Sequence, residues 1–117
     1  MEKTMEIQIS SELLDGLVLS LLTREDYYGY AITQEIQKTI NISDSTMYPV
    51  LKRLQKNDWL TTYDQPFQGR NRRYYRITEA GTQHLEQLLG AWKTYKKNLD
   101  GIFDQTQIPP VALGGQG

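Results

Sequence analysis

The chain has 117 residues, 38% of them hydrophobic, and a formal net charge of -1, which suits one compact domain. Because it has no cysteine and one histidine, disulfides and thiolate metal sites are excluded, and the usual zinc and Ser/His/Asp sites cannot be assembled within one chain; we expect no enzyme and no cofactor. No segment reads as a signal peptide or reaches the roughly 20 apolar residues needed to cross a bilayer, so we expect a cytoplasmic protein without a membrane partner.

Apolar residues at helical spacing predict two helices in the first third of the chain. Either Ser10 or Ser11 can cap the first helix, and the segment TREDYYGY ends its pattern. The apolar positions of this helix are Leu13, Leu14, Leu17, Val18, Leu19, Leu21 and Leu22. Those of the second helix are Ala31, Ile32, Ile36 and, at its end, Ile40.

A third helix is predicted in SDSTMYPVLKRLQKN, with Ser43 as its N-cap. Its apolar face consists of Met47, Val50, Leu51 and Leu54. The opposite face is basic, with hydroxyls near its N-terminus, and consists of Ser45, Tyr48, Pro49, Lys52, Arg53 and Lys56. Since Pro49 cannot donate a hydrogen bond to the Ser45 carbonyl oxygen, we expect an irregular or delayed first turn.

A β-hairpin is predicted next, because WLTTYD and NRRYYRI are rich in strand-forming residues and QPFQG between them has the composition of a loop. Alternation in the second strand predicts that Tyr75 and Ile77 point inward. Arg72, Tyr74 and Arg76 then point outward, and Arg70 lies at the tip.

A last helix is predicted after Thr78, with apolar residues spaced as in about two and a half heptads. These residues, the predicted homodimer contacts, are Leu85, Leu88, Trp92, Tyr95, Leu99 and Ile102. The indole of Trp92 is too bulky for an ordinary two-stranded seam, so we expect the helices to splay, cross or leave room there. Residues 104–117 combine prolines and glycines and are predicted to form a disordered tail.

The net charge conceals a segregation along the chain. Residues 1–44 contain three basic and eight acidic residues, whereas residues 45–77 contain seven basic and two acidic residues. The third helix and the hairpin therefore form a basic module in an otherwise acidic protein, which indicates contact with a polyanion such as DNA.

Three blocks, YGYAITQEI, STMYPVLKRLQKNDWL and GRNRRYYRITEAG, resemble the successive signature blocks of the PadR family of bacterial transcriptional regulators. The resemblance covers roughly residues 13–102. It implies a mainly α fold with a small β-hairpin: a winged helix-turn-helix DNA-binding domain over residues 1–77, followed by a coiled-coil-like dimerisation helix over residues 78–103. Where the family commonly has Asp-Gly, this chain has Asn57-Asp58, and this departure falls on the turn into the wing.

The resemblance implies a homodimeric repressor that binds a palindromic operator in double-stranded DNA. The predicted DNA contacts are Ser45, Thr46, Tyr48, Lys52, Arg53, Lys56, Arg70, Arg72 and Arg73. For Ser45 and Thr46, helix capping is the alternative role.

Some PadR relatives hold flat aromatic ligands with an aromatic residue on the last helix, and the resemblance extends that role to Trp92. Gly16 and Ser20 then border the ligand cavity, with close helix packing as their alternative role. Two other functions remain open: a winged-helix protein-interaction module, and a drug-sequestering dimer without specific DNA binding.

Overall fold

The computed structural model describes residues 5–109, which form four helices and three strands. In chain order these are α1 (Ser11–Leu22), β1 (Tyr27–Tyr28), α2 (Gly29–Gln37), α3 (Asp44–Lys56), β2 (Leu60–Phe67), β3 (Arg70–Ile77) and α4 (Glu79–Phe103). Three helices followed by a β-hairpin make a winged helix-turn-helix, and α4 extends from it. The predicted fold class is confirmed, although α2 ends at Gln37 rather than Ile40.

Side-chain caps define where three of the helices begin. The Ser10 hydroxyl accepts a hydrogen bond from Leu13 N at 3.2 Å, so Ser10 rather than Ser11 caps α1. Ser43 and Thr78 cap α3 and α4 in the same way. Each hydroxyl satisfies one of the amide groups that have no partner within the helix.

Pro49 lies inside α3, and the expected delay in the start of this helix is wrong. The helix begins at Asp44, directly after its cap, and the amides of Thr46 and Met47 donate to the Ser43 carbonyl oxygen at 3.2 and 3.4 Å. Pro49 removes only the bond to the Ser45 carbonyl oxygen. Because Ser45 is exposed, solvent can satisfy that oxygen.

The core lies where the apolar faces of the helices meet the inner face of the sheet. α1 is central, since it contacts α2, α3, α4 and β3. The buried apolar residues are Leu14, Val18, Leu19, Leu22, Ile32, Ile36, Met47, Val50, Leu51, Leu54, Leu60 and Leu85. The four predicted apolar positions of α3 are all in this set.

The sheet has three strands in the order β1-β3-β2, all antiparallel. The sequence predicted only the hairpin of β2 and β3. The third strand, β1, pairs with β3 and places Tyr28 opposite Tyr74. The predicted QPFQG loop is also too long, because β2 continues through Phe67 and only Gln68 and Gly69 form the turn. Both turn residues have positive φ, as the tight hairpin turn requires. Pro66 is tolerated because β2 is an edge strand.

The first turn of α4 is fitted closely against the chain that precedes β2. Gly81 is buried, and a Cβ atom there would overlap the Trp59 carbonyl oxygen. The Thr78 hydroxyl donates to the Asp58 carbonyl oxygen at 2.6 Å. Only Thr78 separates β3 from α4, so the hairpin and the last helix are joined without a flexible linker.

Candidate nucleic-acid interface

The outer face of α3 is exposed and basic, as its sequence pattern predicts. Tyr48 is 63% exposed, and the Lys52 ammonium group lies 5.5 Å from the centroid of its ring. Lys56 and Ser45 are also exposed. This face offers a hydroxyl-rich N-terminal end and two cations, a composition suited to phosphate oxygens and base edges.

The hydroxyls at the start of α3 form a capping cluster. The Ser43 hydroxyl lies 3.1 Å from the Ser45 hydroxyl and 2.8 Å from the Thr46 hydroxyl. Ser43 is therefore the cap of α3, and the alternative in which Ser45 or Thr46 caps the helix does not apply, while both residues remain exposed. The Gln37 side-chain amide donates to Asp44 Oδ1 at 2.9 Å and ties the end of α2 to the start of α3.

Arg53 differs from the other predicted DNA contacts on α3, because its guanidinium forms an ion pair with Asp15 of α1. Asp15 is buried, and burial raises the pKa of its carboxyl, although the hydrogen bond from Arg53 acts in the opposite direction. The structure thus places Arg53 between α3 and α1 rather than free on the outer face. The sequence contains no local signal for this pair, since its partners are 38 residues apart.

The hairpin of β2 and β3, which we call the wing, carries aromatic rings and guanidinium groups on its outer face. Register places Tyr28, Tyr63 and Tyr74 on the same face, with ring centroids 5.9 Å apart for Tyr28 and Tyr74 and 5.6 Å apart for Tyr63 and Tyr74. Arg72 lies over Tyr28, and Arg76 lies over Tyr63. These five residues and Phe67 form what we call the wing stack. Its orientation confirms that Arg72, Tyr74 and Arg76 point outward.

Two of the wing arginines are paired with carboxylates. Arg73 Nε lies 3.5 Å from Asp64 Oδ1 across the hairpin. Arg76 Nη2 lies 3.0 Å from Asp26 Oδ2, which also accepts a hydrogen bond from the Tyr63 hydroxyl at 2.6 Å. Burial acts to raise the pKa of Asp26, but these two hydrogen bonds outweigh it and hold that pKa below its ordinary value.

Arg70 and Arg72 differ from these two, since the side chain of neither forms an ion pair or hydrogen bond with any of the residues 5–109. Arg70 is exposed and follows the turn, so its predicted place at the tip is confirmed. Arg72 is half-buried between aromatic rings. The charge available to a polyanion is therefore concentrated on Lys52 and Lys56 of α3 and on Arg70 and Arg72 of the wing.

The apolar stripe of α4 divides into two parts. Leu85, one of the residues predicted to contact a second copy, is buried in the core of the chain itself, and Leu88 Cδ1 would lie 3.7 Å from a Cβ atom at Gly16. Further along, the stripe is exposed: Trp92 36%, Tyr95 55%, Leu99 40% and Ile102 75%. Gly16 of α1 therefore faces Leu88 of α4, which lies one helical turn before Trp92, and Ser20 is half-buried on α1.

Over residues 5–109 no group of three His, Cys, Asp or Glu side chains is arranged to hold a metal ion. Among the helices described, none combines the length and the apolar character that a membrane span needs.

Comparison with known proteins gives one consistent family. Residues 18–87 match the model of the transcriptional regulator PadR-like family. The crystal structure of smu.1704 from Streptococcus mutans is 40% identical, with a TM-score of 0.80 over 90% of this chain and 99% of that one. A PadR family transcription regulator from Clostridium difficile is 29% identical, with a TM-score of 0.71 over 77% and 97% of the two chains. An uncharacterized protein from Lysinibacillus sphaericus is 37% identical over 74% of this chain and 84% of its own length.

Proposed function

This chain belongs to the PadR-like family of DNA-binding transcriptional regulators, and from that premise we propose that it is a cytoplasmic homodimeric repressor of a palindromic operator. One observation carries the proposal: the exposed cations of the basic module lie on α3 and the wing, the two elements with which winged-helix proteins contact DNA. In each protomer, α3 enters the major groove, and the wing contacts the adjacent backbone or minor groove. Twofold symmetry then sets the half-site spacing near one helical turn, about 34 Å.

The test is fluorescence anisotropy of the protein with a duplex from the DNA upstream of its own gene and with a scrambled duplex, at several salt concentrations. Specific binders favour their site by about 10³ or more. Lys52→Ala combined with Lys56→Ala removes four lysines from the proposed dimer, so it should weaken binding and reduce the slope of log affinity against log salt by about 3.6.

Lys93→Ala combined with Lys97→Ala is the matched control, because these lysines are exposed on α4 and their loss changes the net charge equally. Equal losses in both double variants would mean that net charge, rather than the face of α3, governs binding. Absence of DNA binding above background would favour the protein-interaction module or the drug-sequestering dimer.

The proposed dimer forms through the exposed part of the α4 stripe. Trp92, Tyr95, Leu99 and Ile102 lie on one face of a helix whose preceding stripe residue, Leu88, packs on α1. Isolated apolar residues on a surface are ordinary, whereas an exposed stripe at heptad spacing suits a second helix. A second copy of this chain supplies that helix in the proposal.

The proposed repressor is released from DNA by a flat aromatic or phenolic ligand at the dimer interface. The supporting observation is that Trp92 is 36% exposed and tilted toward Tyr95, with ring centroids 6.3 Å apart. For release, the ligand must bind one dimer arrangement better than the other. Trp59→Phe leaves Trp92 as the single tryptophan, so its fluorescence can report binding of planar phenolic compounds. Unchanged release of DNA by such a compound in Trp92→Ala would refute this role.

A further inference from the structure

Arg72 occupies a central position in the wing stack. Its Cζ atom lies 3.9 Å from the ring centroid of Tyr28 and 3.5 Å from that of Phe67. Tyr28 belongs to β1 and Phe67 to β2, the strands on either side of β3. Because Arg72 is on β3 and shares their face, one ring covers it from each neighbouring strand.

This arrangement holds the guanidinium without occupying its hydrogen-bond donors. A cation held over the face of an aromatic ring interacts with the ring through its charge, which leaves the five N–H donors of the guanidinium available for hydrogen bonds. The guanidinium groups of Arg73 and Arg76 donate to Asp64 and Asp26, but that of Arg72 donates to no residue in the described range 5–109. A fixed cation with free donors is ready to bind an acceptor outside the chain.

A wing can contact DNA either in the minor groove or at the backbone phosphates, and the thickness of the wing stack favours the phosphates. A guanidinium covered on both faces by rings forms a layer on the order of 10 Å thick, more than the roughly 6 Å width of the minor groove. To enter that groove, Arg72 would have to leave both rings. A backbone phosphate stands at the rim of the groove, and its two oxygens match the guanidinium fork.

We infer that Arg72 is a preorganised phosphate contact, held by Tyr28 and Phe67 in the orientation in which it binds the DNA backbone. The inference rests on the proposed DNA binding and specifies one of its contacts. Since the rings already restrict the side chain, less conformational freedom is lost on binding. The contact adds affinity for any sequence and carries no base preference.

The experiment measures the affinity of variants for the upstream and scrambled duplexes over a range of salt concentrations. Arg72→Ala should weaken binding to both duplexes by the same factor, about tenfold for each protomer of the proposed dimer, and make the salt slope shallower by about 1.8, since each dimer loses two contacts. Tyr28→Leu and Phe67→Leu keep the Arg72 charge, so each should weaken binding about threefold with an unchanged slope. Arg72→Lys should also keep the slope and lose affinity, because an ammonium lacks the planar fork.

Controls separate this contact from folding and from the broader proposal. Thermal unfolding verifies that each variant is folded. If Arg72→Ala does not fold, Arg72→Met replaces it, because the unbranched Met side chain can remain between the rings. An unchanged salt slope in the neutral variant, or a loss confined to the upstream duplex, would overturn the phosphate contact. If the wild-type protein shows no preference between the duplexes, the regulator proposal fails, but the slope on either duplex still decides the role of Arg72.

Discussion

Arg53, on the helix proposed to enter the DNA groove, forms an ion pair with Asp15, which is buried in α1. The pair joins α3 to the helix that contacts α4. Its direct effect is on the position of α3 relative to the rest of the domain. Burial raises the pKa of the Asp15 carboxyl and so disfavours its charged form. The hydrogen bond from Arg53 and its positive charge act in the opposite direction and stabilise the carboxylate.

Replacing Arg53 with Met removes the charge that compensates Asp15. We expect a loss of about 1–2 kcal/mol in the free energy of unfolding at pH 7, less than for a fully buried pair because the Arg53 side chain is 39% exposed. A raised carboxyl pKa means that stability falls as pH rises through it, so the loss should shrink in acid. Chemical denaturation at several pH values checks this. Asp15→Asn in the Arg53→Met background should recover most of the loss, and a pH-independent deficit would contradict the explanation.

Gly81 tests the close fit of α4 against the turn into the wing. A Cβ atom there would overlap the Trp59 carbonyl oxygen and lie 2.9 Å from Ile77 Cγ1, so Gly81→Ala should destabilise the fold by about 3 kcal/mol. Gly90→Ala, in the same helix with nothing within 4 Å, should stabilise it by about 0.5–1 kcal/mol. Thermal unfolding of both variants measures the contrast. Similar effects of the two substitutions would refute the steric explanation.

Asp58 has a φ of 62° at the end of α3, where glycine is usual. Its amide donates to the Gln55 carbonyl oxygen, and the Trp59 amide donates to the Leu54 carbonyl oxygen, both at 3.0 Å. Asp58→Gly should relieve the left-handed strain and raise the free energy of unfolding by about 0.5–1 kcal/mol. Asp58→Ala also removes the carboxylate but retains Cβ, so it should bring no gain in urea denaturation. A higher free energy of unfolding in both variants would show that removal of the carboxylate charge, rather than relief of backbone strain, is the cause.

Asp26 should stabilise the wing in a pH-dependent way. Its pKa lies below the ordinary 3.8, so its contribution is present above that pH and is lost as pH falls through the folded-state value. Asp26→Asn should therefore lower the unfolding temperature at pH 7, with a difference from wild type that narrows toward pH 3. Calorimetry over this range measures the difference. A difference in unfolding temperature that stays the same from pH 7 to pH 3 would show that the charge of Asp26 does not contribute to stability.

Leu99 tests the proposed dimer. Leu99→Glu places a charge in the exposed α4 stripe and should convert the dimer to monomer, since an unpaired charge in an apolar interface is costly. Thr94→Glu adds the same charge outside the stripe and should leave the dimer intact. Light scattering after size-exclusion chromatography gives the mass of each. A wild-type monomer, or a dimeric Leu99→Glu variant, would contradict the interface.

Local patterns were sufficient for most of the fold. The apolar face of α3 was predicted because helical spacing places Met47, Val50, Leu51 and Leu54 together, and all four are buried. The cap at Thr78 was equally visible. β1 was missed because a two-residue strand is too short to show alternation.

The missed parts of the candidate site depend on contacts between distant residues. The ion pair of Arg53 spans 38 positions, and a helical wheel shows only that Arg53 is away from the apolar face. The partners of Arg72 could not be predicted without β1, because β1 brings Tyr28 beside β3. The charge count identified the basic module correctly, but it could not show which of its arginines are paired.

Because only Thr78 separates β3 from α4, a tilt of α4 is transmitted to the wing. A helix of 25 residues is about 37 Å long. A tilt of about 10° at the end that meets a partner helix therefore displaces the opposite end by roughly 6 Å. With one residue between β3 and α4 and no room at Gly81, little of that motion can be absorbed on the way. In the proposed dimer, the register of the α4 seam would therefore set the distance between the two DNA-binding surfaces, and operator length would evolve through α4 as well as through α3.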